Sequence, residues 1–366
     1  MVLTELAKPG PGAFQAENSH KCTSQAIHSA QMCTHARVAL GTTSDFAEIS
    51  LWHPACVGSP SNPQESSMKK ILLTIDGSDA SFDAARFLAR LPHTEAMELT
   101  VVTAIAETPS RKTFLADGWS ESWIARKHHQ AEQSFSKVQE YFDDADIKWR
   151  QIIRQGQPGE TIVAIAKEHR PDLLVIGSKG YSTVARLLQG SVSDFVATHV
   201  PCSVLVVRPN SQFSGRHRLR VAIGCEPTEP SGKAVEEFAE FGWASNTEVR
   251  VLSVTDNMDE AELPHDAPAT EVIESVVERL NDVASTTQGH LIHCDHIGDG
   301  LVDYIETNQV DLVVVGETPR SDLGRVLLGS TTRFVLRHSP SSVWIARNQS
   351  ISSNPPNAAL QHSIVT

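Results

Sequence analysis

DLLVIGSKGYSTVARLLQGSVSDFVATHVPCSVLVV, running from Asp172 to Val207, decides how this 366-residue chain is read. Four apolar residues, Leu173 to Ile176, are closed by Gly177; Gly180 follows, and Gly190 and Ser191 open an amphipathic segment that ends before Pro201. The order is strand, glycine-bearing loop, helix, strand. Glycine just past a strand lets the backbone approach a ligand closely, and free N–H groups at Gly190, Ser191 and Val192 would turn a helix start toward an anion such as a phosphate chain. A lone glycine would signify only a turn; three at this spacing with Ser191 behind them point to phosphate binding. Lys179 reads as a solvated loop lysine, and Val184, Leu187 and Leu188 as packing residues that hold the loop on the sheet.

The spacing Gly177-x2-Gly180-x9-Gly190-Ser191, with Leu187-Leu188 inside it and Pro201-Cys202 at the exit, resembles the nucleotide-binding signature of the universal stress protein family. A weaker copy begins 139 residues later at Asp311, with Gly316, Gly329-Ser330 and a final apolar run from Ser341 to Ile345. The resemblance implies an α/β fold: two tandem doubly wound, five-stranded parallel-sheet domains, Rossmann-like and of the adenine nucleotide alpha hydrolase type, each with strand order 3-2-1-4-5. It further implies ATP as ligand, with Mg²⁺ or Mn²⁺ held by its phosphates, a role as regulator of the stress response, and domains that pair through their last strands, Ser203–Val207 and Ser342–Ala346. A homodimer and an unidentified protein partner are compatible with it. A slow ATPase and a nucleotide-free assembly module remain the alternative readings.

The residues themselves give the same alternation. Ile71–Ile75 reads as the first strand, and Asp76-Gly77-Ser78 as a turn into a helix capped by Ser78 or Asp79 with Phe82, Ala85, Leu88 and Ala89 on one face. Leu99–Ile105 is the second strand; Ala131, Phe135, Val138 and Phe142 mark a long amphipathic helix, and Ile147–Ile153 is the third strand. Gly156 to Gly159 is a turn, and Glu160–His169 a helix. Repeat two reads in the same order, with strands Leu219–Ile223, Val249–Val254 and His290–His293 and helices Lys233–Phe241, Ala269–Val283 and Leu301–Glu306. Strands and helices in alternation predict a parallel sheet covered on both faces. The expected organisation is an irregular extension over 1–67, domain one over 68–209, a short linker at 210–217, domain two over 218–347 and a flexible tail from 348 to 366. Met68-Lys69-Lys70, standing directly before the first strand, would serve as an alternative translation start.

Asp76, at the carboxyl end of the first strand, lies where open α/β sheets bind ligands, and its carboxylate could accept from ribose hydroxyls or an adenine amine. The competing role is a turn or cap at the first helix. The resemblance sets the matching aspartate against the nucleoside. In repeat two, Gly224 reads as the residue in the place of Asp76, and Pro319 stands at the second glycine position, where it has no N–H to offer. His199 and His338 precede prolines near helix ends, which suits capping.

Composition excludes several classes. The net charge is −13, with repeat one (69–210) balanced at 17 basic and 17 acidic residues and repeat two (218–347) at 10 against 22. That balance disfavours nucleic acid, whose phosphates need clustered Lys and Arg. No apolar run nears the roughly 20 residues of a membrane span, and no secretory leader opens the chain, so the cytoplasm is the expected compartment. Six cysteines without a C-x-x-C pair read as buried or surface thiols, and His20, Cys22, His28, Cys33 and His35 lack metal-ligand spacing. Neither a P-loop nor a G-x-G-x-x-G turn is present.

Overall fold

Ten strands form one sheet, in the order β3-β2-β1-β4-β5-β10-β9-β6-β7-β8. The computed structural model describes residues 69–91, 96–106, 117–143, 146–178, 191–209, 218–226, 228–242, 247–255, 267–317 and 328–347, all within one unit, Pro63–Thr366. The expectations for 1–67, for the linker and tail, and for Lys179, Gly180, Val184, Leu187, Leu188, Gly190 and Pro319 fall outside these residues.

Repeat one runs β1 (Lys69–Thr74), α1 (Asp79–Arg90), β2 (Met97–Ile105), α2 (Asp117–Gln139), β3 (Ile147–Gln155), α3 (Pro158–His169), β4 (Leu173–Gly177), α4 (Ser191–His199) and β5 (Ser203–Val207). Repeat two runs β6 (Leu219–Gly224), α5 (Glu229–Glu240), β7 (Thr247–Thr255), α6 (Ala267–Asn281), β8 (Thr286–His293), α7 (Ile297–Thr307), β9 (Leu312–Gly316), α8 (Ser330–His338) and β10 (Ser342–Ala346). Within each repeat every pairing is parallel and the order is 3-2-1-4-5, as expected. The central strands are apolar without alternation because helices cover both faces. Ala131, Phe135, Val138 and Phe142 are all buried, so the four-three-four spacing marked the packed face of α2 and the short 3₁₀ turn that follows it. Asp172 and Asp311 begin the central strands and accept the backbone N–H groups of Lys70 (2.7 Å) and Arg220 (2.9 Å), which fixes β4 against β1 and β9 against β6.

The repeats join where β5 and β10 pair antiparallel, Leu205 opposite Trp344 and Val204 opposite Ile345. Each strand is thereby removed from an exposed edge. Two cores result, one per face, and both pass through the junction: Leu205 and Trp344 belong to one, Val204, Val206, Val343 and Ile345 to the other. Trp344 is fully buried, meets Phe238 and Phe241 edge-on at 5.9 and 5.1 Å, and donates its indole N–H to Glu237 (3.1 Å). Ser203 of repeat one donates to the same carboxylate at 2.8 Å.

Two outcomes check this packing. Trp344→Ala empties the centre of the junction and removes a donor from a buried carboxylate, and should lower stability by about 3–5 kcal/mol in urea denaturation. Burial pushes the thiols of Cys202 and Cys225 up to about 12. In the native chain at pH 8 neither should react with iodoacetamide, and peptide mass mapping should find both alkylated only after unfolding.

Candidate functional site

β1 and β4 are neighbours in the sheet, but the chain leaves β1 into α1 on one face and leaves β4 toward α4 on the other. A crevice opens between them at the carboxyl ends of the strands. Asp76 sits at its rim, just beyond Ile75, whose N–H still bonds Val102 O at 2.8 Å. The carboxylate accepts the Ser78 N–H at 2.9 Å, Gly77 turns through φ +82°, and Ser78 Oγ in turn accepts the N–H of Ser81. The turn reading is therefore met in the structure, and it leaves the carboxylate lining the crevice. Partial burial opposes its charge, but hydrogen bonds from Ser78 and Ser81 outweigh that and hold the Asp76 carboxyl below its ordinary range. At neutral pH it is an ionised acceptor.

Two clefts share Asp76, Ala104 and Pro158. The first, about 270 Å³, has Val102, Ile162 and Ile176 among its apolar lining residues, with Gly177 and the first turn of α4 (Ser191, Val192, Ser193) beside them. Of the residues expected to bind the nucleotide, the structure thus gathers Asp76, expected at the nucleoside, with Gly177, Ser191 and Val192, expected at the phosphates; Gly180 and Gly190 lie outside the described residues. The second cleft, about 740 Å³, extends along α2 and is lined by Trp123, Lys127, Gln130, Ser134 and Lys137. Lys137 Nζ stands 4.0 Å over the Phe82 ring. These residues escaped sequence reasoning, although their four-three-four-three spacing runs beside the apolar stripe of the same helix and would have marked its neighbouring face.

Gly177 needs its missing side chain for a reason other than ligand approach. A Cβ there would lie 2.2 Å from the carbonyl oxygen of Ala80 and 2.9 Å from Ser81 N, so β4 can press against the first turn of α1 only as glycine. Gly159 and Gly298 likewise let α3 and α7 meet Phe195 of α4 and Phe334 of α8. A β-branched residue at 177 would therefore disturb the packing of β4 on α1 whether or not a phosphate is bound.

The match of Asp76 with Gly224 is also corrected. Leu73 pairs Val175 and Ile223 pairs Val314, and Ile75 and Cys225 donate to Val102 O and Leu252 O respectively. Gly224 therefore corresponds to Thr74, and Glu226 to Asp76. Aligning the ends of the two apolar runs slipped the register by two residues, because the buried Cys225 continues the strand line without looking aliphatic. Repeat two so keeps a carboxylate at its crevice, beside Thr228, Ser231, Thr331 and Thr332, but the cavity there is only about 100 Å³. Leu301 and Ile297 stand there in the positions of Ile162 and Pro158.

His199 and His338 cap their helices: each Nδ1–H donates to the carbonyl four residues back, Phe195 O at 2.8 Å and Phe334 O at 2.9 Å, and each ring stacks on that phenylalanine.

The model of the Universal stress protein family matches residues 68–208 and again 217–347. A universal stress protein of Methanocaldococcus jannaschii is 28% identical over 144 residues, 39% of this chain and 84% of the relative. One from Thermus aquaticus is 31% identical over 144 residues, 38% of this chain and 98% of its own length. Among solved structures, a universal stress protein from Archaeoglobus fulgidus superposes with a TM-score of 0.57 at 20% identity, covering 76% of this chain and 98% of that one, a likeness of fold. No described helix is long and apolar enough to cross a membrane.

Two glycines at the crevices, Gly177 at the end of β4 and Gly224 at the end of β6, should respond unequally to a methyl group. Gly177→Ala should cost about 2–3 kcal/mol or more, since helix backbone must move. A Cβ at Gly224 meets nothing closer than 3.6 Å, and Gly224→Ala should change stability by less than about 1 kcal/mol. Paired thermal melts decide it.

Proposed function

The chain belongs to the universal stress protein family, and from that premise we propose that repeat one binds ATP, that repeat two is its packing partner, and that the whole is a nucleotide-responsive regulator of the stress response. The observation that supports this most is the pair of clefts sharing Asp76, the larger of which, about 740 Å³, falls in the range of small-molecule sites, against about 100 Å³ in repeat two. In this reading the ionised Asp76 accepts hydrogen bonds from the nucleoside, and the N-terminus of α4 takes phosphate through the backbone N–H groups and hydroxyl of Ser191 and its neighbours. Gly177, Gly180 and Gly190 carry the loop between, and Mg²⁺ or Mn²⁺ would be held by the phosphates with water completing its shell. The surplus of 22 acidic over 10 basic residues in repeat two opposes a ligand bearing about four negative charges at neutral pH.

Calorimetric titration of the full chain with Mg-ATP should give one site per chain. Asp76→Asn keeps an oxygen for the Ser78 N–H but removes the charge, and should weaken binding about tenfold, or 1.4 kcal/mol, with only a small drop in melting temperature in the absence of ligand, from the lost charge-assisted hydrogen bonds. A stoichiometry of two, or neither heat nor thermal shift at millimolar ATP, would refute the assignment.

A further inference from the structure

The junction between the repeats holds a crossed pair of arginines. Arg208 follows β5 of repeat one and donates to Leu336 O in the last turn of α8, at 2.6 Å. Arg347 follows β10 of repeat two and donates to Ala197 O in the last turn of α4, and to Val200 O (2.8 Å) and Cys202 O (3.1 Å) beyond it. Both are almost wholly buried. Each repeat thus closes the carboxyl end of the helix whose amino end opens onto the other repeat's crevice.

Arg347 has in addition an acidic partner. Arg347 Nε binds Glu317 Oε2 at 2.6 Å, in an ion pair whose side chains are 4% and 1% exposed. Glu317 directly follows Gly316 at the end of β9, whereas the matching residue of repeat one, Ser178, carries no carboxylate and gives its hydroxyl to Val207 O. Glu317 Oε1 has no hydrogen-bond partner among the described residues. A carboxylate on one edge of a planar guanidinium fixes its plane, leaving the other two nitrogens aimed at the carbonyls. Burial raises the Glu317 carboxyl above its ordinary range against the pull of Arg347, which marks the position as a costly place for a charge.

From this geometry we infer that Arg347, oriented by Glu317, is a positioning residue through which repeat two sets the ligand affinity of repeat one. The inference rests on the reading of repeat one as an anionic-nucleotide site. A fixed cation at the carboxyl end of the nine-residue α4 holds the helix against the sheet and satisfies carbonyls that would otherwise be open, so the N–H groups at Ser191 and Val192 face the crevice in a set orientation. The root of the repeat-two crevice, at Gly316-Glu317, is one side chain away from that hold.

The test replaces Glu317 by the residue repeat one uses. Full-length Glu317→Ser should bind Mg-ATP about tenfold more weakly than the parent, within the usual range of coupling between sites. The α4 amides from Val196 to Val200 should exchange hydrogen faster while those of β1 and β2 are unchanged. Glu317→Gln, which keeps an acceptor for Nε, should recover most of both; Arg347→Lys, which keeps the charge but loses the planar fork, serves if the serine variant folds poorly and should weaken binding and speed α4 exchange in the same way. Unchanged ATP affinity or unchanged α4 exchange in Glu317→Ser or Arg347→Lys overturns the inference, and so does faster exchange spread evenly over the repeat, which would mean plain destabilisation. If the parent itself binds no ATP, the nucleotide reading is what fails; α4 exchange, which needs no ligand, still decides whether Glu317 and Arg347 hold the helix.

Discussion

The antiparallel seam between β5 and β10 is the constraint on which the rest depends. A five-stranded doubly wound sheet ends on an edge strand with unpaired backbone groups, and here that strand is apolar in both copies, Ser203–Val207 and Ser342–Ala346. Pairing them satisfies both edges and joins the cores on either face into continuous layers. Polar groups at the seam are matched in pairs about its local two-fold: Arg208 N–H to Ser342 Oγ, and Arg347 N–H to Ser203 Oγ.

Symmetry of backbone leaves room for asymmetry of chemistry. Where repeat one has Leu205, repeat two has Trp344, and the ninth residue of the opening helix is Phe87 in one and Glu237 in the other. Trp344 and Glu237 meet in repeat two's half of the seam, and Ser203 comes across to complete the carboxylate's hydrogen bonds. Lys69 crosses in the same place, 3.3 Å from Glu240 and 5.1 Å from the Phe241 ring centre. Exposed pairs of this kind contribute little, but buried ones leave a stranded charge when broken. The seam thus joins unlike halves, with the Ser203 and Trp344 donors both spent on Glu237.

The crevice is built from elements that also carry the fold. Gly177 must admit the backbone of α1, Ser178 ties β4 to β5, and Gly159 admits the ring of Phe195 from α4. A residue can thus line the site and yet be dictated by packing, and substitution alone will not separate the two without a stability measurement beside it.

The sequence by itself determined the strand and helix order of both repeats, because apolar runs of strand length alternate with helical stripes and the glycine spacing recurs. The apolar centres of the strands and a cap of α1 at Ser78 or Asp79 were legible for the same local reasons, and so were Asp76 and the start of α4 as parts of one crevice; strand ends were not, since β8 begins at Thr286, four residues before the run that marked it. What a chain read in one dimension lacks is the pairing register. The match of Glu226 to Asp76 follows only from which residues of β1 and β6 bond to β4 and β9, since the apolar runs alone align two residues out. Arg208 and Arg347 look like solvated charges after a strand; they become buried helix-end donors only when a second strand lies antiparallel alongside and carries each across to the other repeat. Their carbonyl partners are more than a hundred residues distant, and no local spacing encodes such a contact. Tertiary structure decides it, because only there are a guanidinium, a carboxylate and the open carbonyls of a helix brought within hydrogen-bond reach.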